Sequence, residues 1–523
     1  MRQFFIILFY LSPFYIAAQQ WIKTYGPGYE AKWVIEYYDK GYVILGTKSS
    51  NAGYCWVIKT DINGNILWNR KIGNGYNVMF ANDVELTNDN GLIIAGTTSK
   101  YGDQQDAYIL KLNPCGELEW CSDVYTPTIP YDLGWRVKPT SDNGYLLLGL
   151  YNDPNPNFRT NLFKFDSNGY LLWHQKYLPD SAAFEDDGRD LIVDYSGSLI
   201  TLNCYYPNPG QSGGYERFYL IKTDTAGYKL WSTIYGKTSY YYGSPLASIE
   251  SSMGNYYSFG WHDVLNSTNS VPAMIKVLNN GTPSYNKDII SNVGTGGIST
   301  AAWLNNATLI LAGGWAVNDN GGTNVLFKTD TLGNVLQTAF LDTISNGISS
   351  MAKTFDNKFI GVGTNCPTSC YINAYKVNSY LQYDSIYNHP FTYDSLCDHP
   401  IQYEVIDPNC QLVTNVEEPL TNPETCRLKV FPNPATISLT IEFPKYLLVD
   451  DNSPPIKSMT IYHQWKSTIL ESYDLNGKLV FQREIPKDQT RLELDVSSWG
   501  KGMYFFRLVY NKQMVAEQQI IIQ

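Results

Sequence analysis

The chain has 523 residues, enough for several domains rather than one. Its residues are 44% hydrophobic and only 17% charged, with 41 Gly, 26 Pro and 42 Tyr, a mixture that favours an all-β globular protein over a helical or disordered one. The 38 basic residues against 49 acidic ones leave a formal charge of −11, which argues against nucleic acid as a partner.

At the N-terminus, Met1-Arg2 supplies a short positive start, Phe4 to Tyr10 an apolar run, and Ile16-Ala17-Ala18 small residues before Gln19-Gln20. Residues 1–18 read as a signal peptide, too short to span a membrane. No later run reaches the roughly 18 apolar residues of a spanning helix. The expected destination is outside the inner membrane, through the periplasm. Nine cysteines suit that oxidising route. Cys115 and Cys121, Cys366 and Cys370, and Cys397 and Cys410 are candidate local disulfides, with connectivity left open by spacing alone. Cys55, Cys204 and Cys426 are left over. No CxxC or Cys/His spacing suggests zinc, so no metal is expected.

The next feature is a repeat. An apolar stretch, a lysine, one residue and then Asp or Asn recurs at Lys59-Thr60-Asp61, Lys111-Leu112-Asn113, Lys164-Phe165-Asp166, Lys222-Thr223-Asp224, Lys328-Thr329-Asp330 and Lys376-Val377-Asn378. Lys276-Val277-Leu278 is a degraded copy, and successive lysines lie 48 to 58 residues apart. A Gly-bearing turn and an aromatic residue usually follow, as in Gly64 then Trp68, Gly116 then Trp120, Gly169 then Trp173, and Gly227 then Trp231. Upstream lies another turn and a continuous apolar strand, such as Asn143-Gly144-Tyr145-Leu146-Leu147-Leu148. The turns are hairpin signals, because Gly tolerates positive φ. The continuous strands suit burial on both faces. Four strands per repeat predict a seven-bladed β-propeller over residues 19–388. Trp21-Ile22-Lys23-Thr24-Tyr25-Gly26 matches the fourth-strand phrase Trp231 to Gly236 without a preceding blade, and is expected to complete the last blade.

After residue 388 the repeat stops. Residues 389–427 are rich in Pro, Asn, Asp and Thr and read as a linker with a candidate disulfide. Residues 428–523 alternate in strand fashion and suggest a small Ig-like β-sandwich. Phe431-Pro432-Asn433-Pro434, Asp474-Leu475-Asn476-Gly477, Asp495-Val496-Ser497 and Gly502-Met503-Tyr504 together resemble the C-terminal sorting domain of type IX secretion substrates in Bacteroidota. Pro444 to Lys466 departs from that pattern as an insertion or extra hairpin. The resemblance implies type IX secretion machinery as a partner, and release or attachment at the outer cell surface. It carries no information on the cargo.

Within the propeller, the recurring Lys-x-Asp phrase reads as scaffold, with Asp shaping a turn, and the Trp series reads as blade packing. The Asp-x-x-Gly-x-x-x-Trp phrase resembles the repeats of quinoprotein dehydrogenases and the Asp-box of sialidases. It carries neither the adjacent cysteines often associated with the former's cofactor nor the spacing of the latter. No nucleophile elbow or P-loop is present, so no catalytic residue and no cofactor is assigned. His262 is the histidine that merits testing. Function is expected where the repeats diverge, in loops Tyr151–Thr160, Tyr205–Arg217, His262–Pro272 and Trp315–Thr323 with the connection Lys237–Pro245. Tyr151, Tyr205, Tyr206, Tyr215, Tyr240, Tyr241, Tyr242, Trp261, His262 and Trp315 are the candidate ligand-face residues, a composition suited to recognition. A surface binding or adhesion protein for glycan or protein is the expectation. A carboxylate-based glycan hydrolase or lyase is the alternative, since paired acids need no local motif.

Overall fold

The computed structural model describes residues 20–48, 53–99, 105–124, 132–152, 158–177, 185–207, 214–235, 243–263, 269–289, 295–316, 322–342, 347–388, 391–401, 403–413, 428–443, 447–451, 458–462, 468–475, 478–486, 489, 491–510 and 513–523. The expected signal peptide lies outside them. The chain divides into two compact units, 1–417 and 418–523.

The first unit contains seven antiparallel sheets, each with four sequential strands apart from the last. Their innermost strands are Tyr29–Glu36, Met79–Leu86, Asp132–Pro139, Glu185–Asp194, Gly243–Glu250, Thr295–Asn305 and Ile348–Lys353. Each contacts the next, and the seventh returns to the first, so the sheets form a closed ring of blades. Closure uses the orphan strand as expected. Ile22–Tyr25 pairs antiparallel with Tyr371–Val377 and supplies the outer strand of blade 7. The apolar runs are buried throughout, as in Val43, Ile44 and Leu45, because both faces of a blade meet neighbours.

The two hairpins of a blade use glycine differently. In the second, Gly64 and its equivalents carry the positive φ (+78° at Gly64), as the sequence suggests. In the first, that conformation falls instead on the residue before the glycine at Lys40, Asn90 and Asn143, and on Asn357 before Lys358 in blade 7. The glycine there is needed for space. A Cβ at Gly91 would lie 2.4 Å from both the Leu112 carbonyl oxygen and the Lys111 Nζ. The repeat lysine therefore reaches back to the first hairpin, where Asp39, Asp89, Asp142 and Asp194 receive Lys59, Lys111, Lys164 and Lys222 at 2.8 to 3.0 Å. The Asp two residues beyond the lysine shapes the second hairpin. Asp61 Oδ1 accepts from the Asn63 and Asn65 amides, each at 2.8 Å.

Tryptophans join one blade to the next. Trp21, Trp68, Trp120, Trp173 and Trp231 each lie against the second-hairpin glycine of the following blade, at Gly64, Gly116, Gly169, Gly227 and Gly281. Trp21 donates its indole N–H to the Ile62 carbonyl at 2.8 Å, and Trp120 donates to that of Ser167 at 3.0 Å. Tyr177 and Tyr235 add hydroxyl bonds to the Gly227 and Gly281 carbonyls.

At the axis, every innermost strand carries a register shift at the same relative place, between Ala31/Trp33, Ala81/Asp83, Gly134/Arg136, Gly188/Asp190, Pro245/Ala247, Ile298/Thr300 and Ile348/Ser350, and blade 6 adds a second between Trp303/Asn305. Such bulges raise the local twist and re-aim side chains. Arg136 of blade 3 stacks over the Trp33 ring of blade 1 at 4.6 Å, a contact that must cross the interior of the ring. Asp190 pairs with Arg136 at 3.4 Å, and Lys138 pairs with Glu85.

The expected linker is instead partly structured. Residues 391–413 run as a strap over blades 1 and 2. Glu404–Ile406 adds a parallel strand to Ile66–Ile72, the outer strand of blade 1, and Gln411–Val413 adds one to Leu118–Val124, the outer strand of blade 2. The disulfides differ accordingly. Cys366 pairs with Cys370, but Cys115 pairs with Cys397 and Cys121 with Cys410. Cys115 sits in the hairpin and Cys121 inside the following strand, so each meets the strap where it passes rather than the other. Cys55 and Cys204 are buried, while Cys426 lies outside the described residues.

The second unit is a small sandwich. A three-stranded sheet contains Lys429–Phe431, Ser438–Glu442 and Arg491–Asp495, and a four-stranded sheet contains Leu479–Ile485, Thr468–Asp474, Gly502–Tyr510 and Gln513–Ile522. Their shared core includes Val430, Leu439, Ile441, Leu470, Phe506, Leu508 and Ile520. The departure at 444–466 contains an extra hairpin, Leu447–Asp451 with Ser458–Tyr462.

Candidate functional site

At their described ends, the segments singled out for divergence are strand rather than loop. In blade 4, the second and third strands stay paired to Tyr206↔Tyr215 and Pro207↔Gly214. Tyr and Phe favour strands, so the expected loop begins and ends as paired strand. In blade 3 the pairing runs to Tyr151↔Arg159 and Asn152↔Phe158, in blade 5 to Asp263↔Ser270, and in blade 6 to Trp315↔Thr323 and Ala316↔Gly322. Tyr151, Tyr206, Tyr215 and Trp315 are placed by their backbone on these ends. Tyr240, Tyr241 and Tyr242 lie outside the described residues.

Two candidates turn inward. His262 is only 1% exposed, lies edge-on to Phe218 at 5.1 Å, and holds its Nδ1 3.8 Å from Asp288. It is a core residue within Tyr256–Asp263, not the start of a loop. The period-two alternation of that strand buries it. Trp261, on the opposite face of the strand, is half-buried against Gly297 of blade 6.

Around the Tyr205 hairpin end, the structure gathers charge that the sequence repeat did not reveal. Tyr205 faces Glu216, and Cys204 faces Arg217. Buried Asn203 donates Nδ2 to Glu216 Oε2 at 2.8 Å. Asp263 of blade 5 is pushed up by burial and then by the Glu216 charge. These two half-buried acids therefore influence each other across adjacent blades, one with an amide donor and one with raised proton affinity. Towards blade 3, buried Asp186 accepts the Thr160 amide at 2.6 Å and pairs with Arg159 at 3.3 Å. Burial nevertheless pushes its carboxyl up to about 6. Asp187 pairs with Arg189 on the same innermost strand. Only the divergence of strand ends from the repeat pointed to this region, because no local motif contains residues drawn from three blades.

Among the described residues, no three His, Cys, Asp or Glu side chains converge as a ready metal site, and no helix is long and apolar enough to cross a membrane. In the second unit, Asn433 Oδ1 accepts the Ile521 amide at 2.9 Å, and Ala435 exchanges backbone bonds with Ile521 and Gln523. Pro432 and Pro434 flank that asparagine. Asp474 Oδ1 accepts the Lys478 amide at 2.9 Å across a turn whose Gly477 lies outside the described residues. Tyr504 donates to the Gly500 carbonyl at 2.7 Å and packs 5.0 Å from Trp499, while Gly502 begins that strand.

A family model described as a secretion system C-terminal sorting domain matches residues 429–523. The second unit is a type IX sorting domain. It directs the protein to the outer cell surface or beyond and implies engagement with the type IX machinery. No curated protein matches the chain. Solved structures with a similar fold include the β-propeller domain of a trilobed protease from Pyrococcus furiosus, at 10% identity and TM-score 0.40, covering 73% of this chain and 98% of that one. YCF48 from Cyanidioschyzon merolae is 11% identical at TM-score 0.40, covering 69% and 99%. A polysaccharide lyase, an ulvan lyase, is 10% identical at TM-score 0.44, covering 68% and 96%.

Proposed function

We propose that the mature protein is a binding or adhesion propeller at or beyond the cell surface, delivered by its sorting domain. Its ligand is an extracellular glycan or protein, gripped by the strand ends of blades 3 to 6. Supporting this reading is the extended pairing of the second and third strands of blade 4, whose backbone register sets Tyr205 opposite Glu216 and Tyr206 opposite Tyr215. Aromatic faces with polar neighbours suit sugar rings and peptide backbones alike. The repeat lysines, aspartates and tryptophans are occupied within the scaffold and are not part of this surface.

A second reading rests on Glu216 and Asp263. Two carboxyls near enough to interact, Glu216 held by the Asn203 amide and Asp263 raised by burial, are the pair of groups a glycan hydrolase needs for its acid and base roles. Screening the mature chain against glycan and extracellular-protein arrays, with turnover measured on every hit, separates the readings. Binding without turnover, weakened at least about tenfold by Tyr205→Ala with Tyr206→Ala, is the expected result. Turnover abolished by Glu216→Gln or Asp263→Asn would establish the hydrolase reading instead. Retention of full binding in the tyrosine variant would remove this surface from consideration.

A further inference from the structure

Away from that surface, a cleft of about 290 Å³ opens between blades 1 and 2. Thr98 and Asp123 of blade 2 form one wall, the blade 1 to blade 2 connection with Asn74 and Asn77 another, and Asp407 of the strap lies at its edge. The strand register adds a residue to this group. Asp106 lies directly opposite Thr98, while Asp123 lies opposite Tyr108. Residues paired across antiparallel strands share a face, as do residues two apart. Asp106 therefore stands on the same sheet face as both Thr98 and Asp123, which line the cleft.

Asp106 is fully buried, and neither carboxylate oxygen has a hydrogen-bond partner. An isolated buried carboxylate is among the costliest groups a protein can hold. The buried side chains of Asp39, Asp186 and Asp194, by contrast, each have a lysine, an arginine or a backbone amide. Here the neighbouring charge is a second buried acid, Asp123, which adds repulsion. The nearby cysteines, Cys121 and Cys410, are committed to a disulfide, so the polar side chains lining the cleft offer oxygens, beside the apolar Val78, Met79 and Pro408.

We propose that this cleft binds a hard divalent cation, calcium, between blades 1 and 2. Asp106 and Asp123 supply the anionic ligands, and Thr98 and the oxygens of the blade connection and strap complete the shell. An all-oxygen, two-carboxylate set suits calcium, which accepts flexible geometry and carbonyl or hydroxyl oxygens, better than zinc or copper. With two acids rather than three or four, the affinity belongs with extracellular modules, at a Kd of about 10⁻⁴ to 10⁻³ M. The cation would bridge two blades at the place where the strap crosses them.

Calcium titration of the mature full-length chain by calorimetry, beside magnesium and after exhaustive chelation, tests the assignment. The expected result is one calcium site, a melting temperature raised by calcium and lowered by chelator, and a Kd weakened roughly tenfold or more in Asp106→Asn. Thr98→Val provides a milder variant should Asp106→Asn fold poorly, and it should also weaken calcium binding. Absence of calcium binding by the wild-type chain would overturn the proposal and leave Asp106 as a buried protonated carboxyl. So would unchanged affinity in whichever of the two variants folds.

Discussion

Lys59 has no solvent contact, and its ammonium lies 2.8 Å from Asp39, which is nearly as buried. The ring of Tyr393 from the strap stands 5.2 Å from the same nitrogen. In blade 2 the same pair is more open, with the Asp89 side chain 56% exposed. Removing one member of a buried pair strands the other, whereas water screens an exposed one. Asp39→Ala is therefore expected to destabilise the propeller by about 3 to 5 kcal/mol, and Asp89→Ala by about 1 kcal/mol or less, measured as the shift in chemical denaturation. Equal losses would mean that the strap does not seal the blade 1 pair. The lysine repeat was legible because its spacing is regular. Its partner was not, because the acid two residues on is closer in sequence and only the hairpin geometry sends the side chain to the acid about 20 residues back.

At the scale of elements, the strap is the feature that composition concealed. A Pro- and Asn-rich stretch reads as linker, yet Tyr393, Asp394, Ile401 and Ile406 find partners on blades 1 and 2. Trp68 donates to Asp394 at 3.1 Å, and the Gly73 amide bonds the Ile406 carbonyl at 2.7 Å. Two edge strands that would otherwise offer free backbone groups are covered, a common defence against unwanted pairing. The two strap disulfides close loops of 282 and 289 residues. In a chain-entropy view, each stabilises by up to about 5 kcal/mol. Replacing Cys397 and Cys410 by Ser is expected to lower the melting temperature and to expose the strap to limited proteolysis, with first cuts between residues 391 and 413. First cuts elsewhere would show that pairing and packing hold the strap without the cross-links. The blade count and the closing strand were readable because both are repeats of one phrase. The cysteine partners were not, because proximity in sequence says little when one cysteine caps a hairpin and the other sits along the next strand.

Across the whole molecule, the acids of the scaffold fall into two groups with opposite pH signatures. Asp83 and Asp186 are raised, chiefly by burial, Asp186 to about 6. Asp142 is held near 2 because the Lys164, Thr140 and Gly144 donors outweigh its burial, and Asp89, Asp194 and Asp356 are lowered in the same way. A raised carboxyl binds more protons folded than unfolded, so its contribution is largest below the ordinary carboxylate range and is lost as pH rises through the folded value. A lowered one contributes above that range and is lost as pH falls towards about 2. Together they predict greatest stability at about pH 4, declining as pH rises through about 6, measured as melting temperature in calcium-free buffer across the acid and neutral range. Asp83 also joins blades, since its Oδ2 accepts the Val137 amide of blade 3 at 2.9 Å. Asn retains that acceptor without the charge. Asp83→Asn is therefore expected to raise the melting temperature at pH 8 while leaving it nearly unchanged at pH 4. An equal shift at both values would mean that the substitution acts through packing rather than through the buried charge. The direction matters for an exported protein: the ring is assembled from interblade contacts around a charged axis, so the pH outside the cell acts on its closure and not only on its surface.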